Sequence, residues 1–260
     1  LDNGMTVGIS FILDQGDNTV DAENGTGPFD SHSVSIGSDA LGTLKLHGEG
    51  GSNAQAAIDT TAAGDIWDTF DDAGTTGTVV NSSTSGANIL VYSLPAIVDG
   101  VAASVSYSPQ GTGHNPSTAW AATYTGVEGL SVSYGIGNQD ASSSAEGDTT
   151  TLSASYAIGS FTVAYSNNDH QTETASEDQE TTSYKVSYTV SDSISVSYGE
   201  EEIDEQGDTT NAEYSKLSAS YTSGGMTVTA TSAEMKNGAF SSTSSADDKD
   251  YWSLGLAFAF

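Results

Sequence analysis

The sequence contains no cysteine, no arginine and only five lysines among its 260 residues. Without cysteine, neither a disulfide framework nor thiol chemistry is available. The five lysines face 35 acidic residues and leave a formal net charge of −30. The basic surface that a nucleic-acid-binding protein requires is therefore missing. The chain also has no run of about 18 apolar residues, which excludes a transmembrane helix.

Signatures of catalysis are scarce as well. The four histidines lie far apart, and no nucleophile motif stands beside any of them: His32, His47, His114 and His170. Serine is so frequent that a Ser-His-Asp trio arises by chance, and chance matches carry no mechanism. The sequence therefore predicts that the protein is not an enzyme.

Side chains alternate strictly between large apolar and small or polar types, most clearly over residues 251–260. The large apolar positions of this stretch are Trp252, Leu254, Leu256, Phe258 and Phe260. Successive side chains of a strand point to opposite faces, so one face here is apolar and the other carries small or polar side chains. About 9–11 residues suffice for a tilted strand to cross a bilayer. We interpret this stretch as the last strand of an outer-membrane β-barrel.

The same alternation recurs along the chain and predicts about 14 strands, from residues 3–14 onward. Short connections alternate with long ones, and the acidic residues fall mainly in the long set. Short turns on one rim and long loops on the other are typical of bacterial outer-membrane barrels. We therefore predict an all-β fold, in which residues 1–260 form a single transmembrane antiparallel β-barrel.

Aromatic residues recur just before the short turns. They predict a girdle at the periplasmic interface, where amphipathic rings are favoured: Tyr124, Tyr156, Tyr188, Tyr221, Phe258 and Phe260. A soluble β-sandwich or β-helix burying the same apolar residues is the alternative. The opposite face of each strand is almost entirely Ser, Thr, Gly and Ala, which suits a water-filled lumen better than a second core.

Three segments, together with the terminal Phe260, resemble the Gram-negative general diffusion porins of the alphaproteobacterial type. They are the opening Asp2-Asn3-Gly4-Met5-Thr6-Val7-Gly8, the strand pair at residues 33–46, and Asn88-Ile89-Leu90-Val91-Tyr92-Ser93-Leu94-Pro95. Each motif alone is weak, but their order and spacing extend over nearly the whole chain.

This resemblance implies a 16-stranded barrel, a homotrimer and a long segment folded into the channel. Residues 49–87 occupy the place of that segment. The first strand of this chain corresponds to the third of the family, so either the chain is truncated by two strands or the barrel is shorter. Fourteen is also an even number, as single-chain bacterial barrels require.

The candidate pore constriction combines strand residues with the inserted segment. Alternation places Lys45 and His47 toward the lumen, and the resemblance adds the acids of the segment: Glu49, Asp59, Asp65, Asp68, Asp71 and Asp72. Trp67 and Phe70 lie among these acids and are candidates to pin the segment to the wall. The family's arginine cluster is missing, so we expect a negative lumen that favours cations. An acidic external loop is the alternative for this segment.

Two function hypotheses follow. The first is an outer-membrane channel for passive diffusion of small hydrophilic solutes and ions, with outer-membrane lipid and lipopolysaccharide as further partners. The second is an acidic β-rich surface adhesin or structural protein without channel activity. No cofactor is expected. The acid clusters at residues 200–208 and 247–250 lack an ordered calcium-ligand spacing, so solvated loop charge is favoured over loop-bound calcium.

Overall fold

A computed structural model describes most of the chain. The described residues are 4–13, 29–73, 80, 83, 85–110, 115–139, 147–172, 178–238, 240 and 248–259. His114 and Phe260 of the sequence predictions lie outside this part, as do the side chains of Asp71 and Asp72.

Strands dominate the described residues. The first eight are β1 (Thr6–Leu13), β2 (Phe29–Ser38), β3 (Gly42–Glu49), β4 (Gly51–Ser52), β5 (Ser85–Gly86), β6 (Ile89–Ser93), β7 (Val101–Ser108) and β8 (Ser117–Tyr124). The remaining eight are β9 (Leu130–Gln139), β10 (Gly147–Ile158), β11 (Phe161–Thr172), β12 (Gln179–Ser191), β13 (Ile194–Glu205), β14 (Ala212–Ser223), β15 (Met226–Lys236) and β16 (Lys249–Phe258). A 3-10 helix spans Trp67–Ala73.

Fourteen strands form one antiparallel sheet, which is the wall of the barrel, in the order β1-β2-β3-β6 and then β7 through β16 in sequence. The predicted strand number is therefore confirmed. β4 and β5 form a separate pair in the segment between β3 and β6. Among the described strands, β1 and β16 each have one neighbour and stand at the two ends of this order.

The predicted alternation appears as two chemically different faces of the sheet. Large apolar side chains are exposed on the outward face, as Val7 and Ile9 of β1 and Leu254 and Leu256 of β16 show. The opposite face carries mostly small polar residues. Burial of apolar side chains usually stabilises a soluble core, but here those side chains point away from the interior, as expected where lipid is the solvent.

Several strands extend further than the sequence indicates. Residues 200–205 were expected in a long acidic loop, but they form the end of β13. Likewise, β11 continues to Thr172, and its long connection is correspondingly shorter. These strand ends carry polar residues on both faces, so the apolar alternation that marks a strand in the sequence is lost there.

The buried residues lie on the inward face, beneath the segment between β3 and β6. The largest apolar cluster joins residues of that segment to three wall strands, β13 to β15: Ala63, Ile66, Phe70, Ile203, Ala212, Tyr214, Ala233 and Met235. A smaller cluster contains Ala54, Ile58, Ala119 and Ala121.

No helix among the described residues combines the length and apolar character that a membrane span needs.

The two faces of β16 provide a direct test of orientation. Leu254, which is 64% exposed on the outward face, is replaced by lysine, and the inward neighbour Ser253 is replaced by lysine as the control. A lysine near the bilayer midplane costs about 2–4 kcal/mol, so Leu254→Lys is expected to lower the free energy of unfolding by that amount. Urea titration in lipid vesicles measures it. Equal losses for both variants would contradict the assigned orientation.

Candidate functional site

Residues 53–67 lie along the inward face of the sheet and contact its strands in succession. Their contacts begin at β7 and proceed through β10, β11, β12 and β13 to β14. We call residues 53–73 the inserted loop. Turns within the loop pair only part of its backbone groups, so side chains of the wall supply partners for others.

The first part of the inserted loop binds β7 and β10. The Ala54 N–H donates to Ser106 Oγ at 2.9 Å, and Gln55 Nε2 donates to Thr151 Oγ1 at 2.6 Å. Thr151 in turn donates to Asn168 Oδ1 on β11. These groups are almost fully buried, so each hydrogen bond satisfies a group that water does not reach.

The middle part binds β11 and β12 through two serines. Ser166 Oγ accepts the Ala62 N–H and donates to the Thr60 carbonyl, both at 2.8 Å. Ser183 Oγ accepts the Ala63 N–H at 2.9 Å. In each case a short hydroxyl of the wall binds the backbone of the loop, so the contact depends little on the loop's own side chains.

The last part is held by two titratable residues on adjacent strands. Glu201 Oε2 on β13 accepts the Trp67 N–H at 3.1 Å, at the first residue of the 3-10 helix. Lys216 Nζ on β14 donates to the Gly64 carbonyl at 3.1 Å. The wall therefore supplies one acceptor for a backbone N–H of the loop and one donor for a backbone carbonyl.

Glu201 is a functional residue that the sequence reasoning missed. It belongs to the run of acids assigned to a solvated loop, but only 2% of its surface is exposed. The only sequence signal is the place of Glu201 in the alternation along β13. Glu201 pairs with the inward-facing Ser183 and points inward as well, whereas Glu200 and Glu202 point outward. That signal becomes readable only once β13 is known to continue through residue 205.

Apolar contacts fix the end of the loop against β13–β16. The Phe70 ring lies 6.1 Å from the Tyr214 ring and 6.5 Å from that of Tyr251, measured between centroids. Phe70 is 4% exposed, and Trp67 packs against the same cluster. This placement agrees with the expectation that these two residues pin the loop to the wall.

Glycines of the wall make room for the loop. A Cβ atom on Gly199 of β13 would lie 2.7 Å from the Ala63 Cβ, and one on Gly135 of β9 would lie 2.8 Å from Ile58 Cδ1. Real side-chain carbons do not approach so closely. The loop can therefore rest on the sheet only because these positions lack a side chain.

The opposite face of the loop is acidic and exposed. Asp59, Asp65 and Asp68 all remain exposed, whereas Ile58, Ile66 and Phe70 beside them are buried against the wall. Gly64 and Asp65 both adopt positive φ, 89° and 47°, and turn the chain before the 3-10 helix. Asp65 also accepts a hydrogen bond from the Thr61 hydroxyl.

The Asp59 carboxyl is perturbed by its surroundings. Partial burial of the carboxyl raises the pKa of Asp59, although the residue as a whole stays exposed. The nearby Asp65 acts in the same direction, while the Thr61 N–H and Lys185 oppose it. Asp59 therefore takes up a proton at a higher pH than an ordinary aspartate.

The other predicted constriction residues are placed as follows. Lys45 and His47 lie on the inward face of β3, paired with Val91 and Ile89 of β6. Glu49 ends β3, and its Oε2 lies 4.0 Å from His32 Nδ1, so it does not belong to the inserted loop. Asp68 lies in the 3-10 helix.

The predicted girdle residues within the described part lie near the short turns. They are Tyr124, Tyr156, Tyr188, Tyr221 and Phe258. The rings of Tyr188 and Phe161, which are register partners, stack with centroids 4.5 Å apart. Their interfacial role stays a prediction.

Comparison with known proteins gives one family. A family model described as Gram-negative porin matches residues 1–239. A solved structure of an anion-selective porin from Comamonas acidovorans is 18% identical, with 100% of this chain and 86% of that chain covered and a TM-score of 0.66. A triple mutant of the Rhodopseudomonas blastica porin is 17% identical, with the same coverage and a TM-score of 0.64. OmpT of Vibrio cholerae is 14% identical over 88% of this chain and 80% of its own, with a TM-score of 0.55. The search of curated proteins finds no match.

The close approach at Gly199 generates a prediction. Gly199→Leu forces the inserted loop away from β13, and such overpacking costs about 1–3 kcal/mol. Chymotrypsin cleavage after Trp67 or Phe70, mapped by mass spectrometry, is expected to accelerate at least about fivefold. Gly255→Leu is the control, because a Cβ there meets nothing nearer than 3.8 Å. Unchanged cleavage in folded Gly199→Leu protein would show that the loop does not rest on this strand.

Proposed function

The chain belongs to the Gram-negative porin family and forms an outer-membrane β-barrel channel, and we propose that its inserted loop constricts that channel and makes it prefer cations. The observation that carries this proposal is the chemical difference between the two sides of the inserted loop. Its wall side is bound to strands from β7 to β14, and its other side presents Asp59, Asp65 and Asp68 to the interior.

Fixed carboxylates at the narrow part of a pore raise the local concentration of cations and lower that of anions. Low-dielectric walls focus the field, so a few charges suffice. The chain has no arginine, and two of its inward lysines are near the loop rather than opposite it: Lys216 binds Gly64, and Lys185 lies near Asp59. Their charge therefore offsets only part of the acidic face.

The substrates of this proposal are small hydrophilic solutes and inorganic ions that diffuse passively. We further propose a homotrimer, to which the uncharged, apolar outward face of β1 to β3 offers a suitable surface. Contact with lipopolysaccharide is also a proposal, and for the acid clusters we propose solvated loop charge rather than bound calcium. In the described part of the chain, no three His, Asp or Glu side chains gather as a metal site.

Planar-bilayer recording of the folded protein tests the channel itself. Stepwise currents in a KCl gradient, with a reversal potential of the sign set by cations, are the expected result. Steps that come in threes would support the trimer. A folded, inserted protein without current would favour the alternative of an adhesin or structural protein, and an anion-signed potential would contradict the proposed constriction.

In this proposal the carboxylates of the inserted loop cause the preference for cations, so removing their charge reduces it. Replacing Asp59, Asp65 and Asp68 by asparagine is expected to lower the ratio of K⁺ to Cl⁻ permeability at least about twofold in 0.1 M salt. The effect shrinks in 1 M salt, where the screening length falls to about 3 Å.

The control replaces three outward carboxylates by glutamine and changes the net charge by the same amount: Glu180, Glu202 and Glu234. All three are exposed on the far side of the wall. Their neutralisation is expected to leave the permeability ratio unchanged. If both triple variants shift the ratio equally, overall charge rather than the loop determines selectivity.

A further inference from the structure

Glu201 is a buried carboxylate whose polar contacts go to the inserted loop. It points inward from β13, with Ser183 of β12 and Tyr214 of β14 as its register partners. Oε2 accepts the Trp67 N–H, and the carboxylate also interacts with the Ile66 N–H. Oε1 has no hydrogen-bond partner among the described residues. Within the described part of the chain, its hydrogen-bond partners therefore all belong to the loop and none to the sheet.

Burying a carboxylate is unfavourable unless its partners compensate. The charged groups that face Glu201 come from two elements: Asp65 from the loop, which repels it, and Lys216 from β14, which attracts it. Ser183 on the β12 side is uncharged and already binds Ala63. The compensation that remains is the pair of backbone N–H groups at the start of the 3-10 helix, so the carboxylate and the helix stabilise each other.

The neighbouring anchors differ from Glu201 in kind. Ser106, Ser166 and Ser183 bind turns of the loop backbone through short hydroxyls. Glu201 has a longer side chain and binds the loop where it turns into the helix that carries Asp68. This longer side chain therefore binds the start of the helix, while Trp67 and Phe70 pack against the wall from the helix itself.

We propose that Glu201 is a positioning residue that holds the 3-10 helix of the inserted loop at its distance from the wall, by accepting the first N–H groups of that helix. The inference deepens the proposed function, because the position of this helix would then determine the free width of the channel. Its docking role can nevertheless be tested without any current.

The absence of cysteine makes a single-thiol reporter possible. Ile66→Cys places the reporter at the start of the 3-10 helix, beside the Glu201 contact, and Ala54→Cys places a second one at the β7 end; the two native residues are 0% and 2% exposed. Each reporter is combined with Glu201→Leu, which removes both acceptor oxygens, and labelled with a water-soluble maleimide. Only protein with the strand content and unheated gel mobility of the folded barrel is compared.

With Glu201→Leu we expect the labelling rate at Ile66→Cys to rise at least about tenfold, because the acceptor of the Trp67 N–H is lost. The rate at Ala54→Cys stays unchanged, since β7 still holds that end. Glu201→Gln keeps an oxygen that accepts the Trp67 N–H, and labelling is expected to stay near the original rate. If the leucine variant does not fold, Glu201→Ala takes its place.

Glu202→Leu is the matched control, because it removes a carboxylate one residue away on the outward face. Unchanged labelling at Ile66→Cys with Glu201→Leu, or an equal rise with Glu202→Leu, would overturn the inference. Bilayer recordings of the same variants then separate the two proposals. If Glu201→Leu frees the loop but leaves unit conductance unaltered, the positioning role stands and the proposed constriction fails.

Discussion

The structure depends on the rule that no backbone N–H or carbonyl group can go unpaired where water is excluded. Within the wall, antiparallel pairing on both sides meets this rule for the twelve strands that lie between β1 and β16. The same rule applies to the inserted loop, whose turns pair only part of its backbone groups. The wall supplies a hydroxyl, a carboxyl or an ammonium group for several of the others, as Ser166, Glu201 and Lys216 illustrate.

The alternation in the sequence was sufficient to predict the number of strands and the direction in which each face points. It succeeded because lipid selects large apolar residues on every second position, as in Leu254 and Leu256. It failed beyond the lipid, where residues 200–205 continue β13 with acids outside and buried groups inside. There the wall separates water from protein rather than lipid from water, and no apolar pattern marks the strand.

The candidate site was less accessible to sequence reasoning. The place of the inserted segment came from a family resemblance, and its acids could be named because they are numerous. Its partners could not be predicted, since a loop without a period does not specify which strand it passes. Glu201 illustrates the difficulty: three consecutive glutamates look alike in the sequence, but β13 sends the middle one inward and its neighbours outward.

The loop divides two tasks between its two sides. On the wall side, the backbone groups of Ala54, Ala62 and Ala63 make the hydrogen bonds, and small side chains allow the close approach that Gly199 also requires. On the other side, the side chains make few contacts with the wall. Anchoring therefore constrains the backbone path and the residue sizes on one face only. The charge of the other face can change without loss of docking, so selectivity and loop position are separable properties of one short segment.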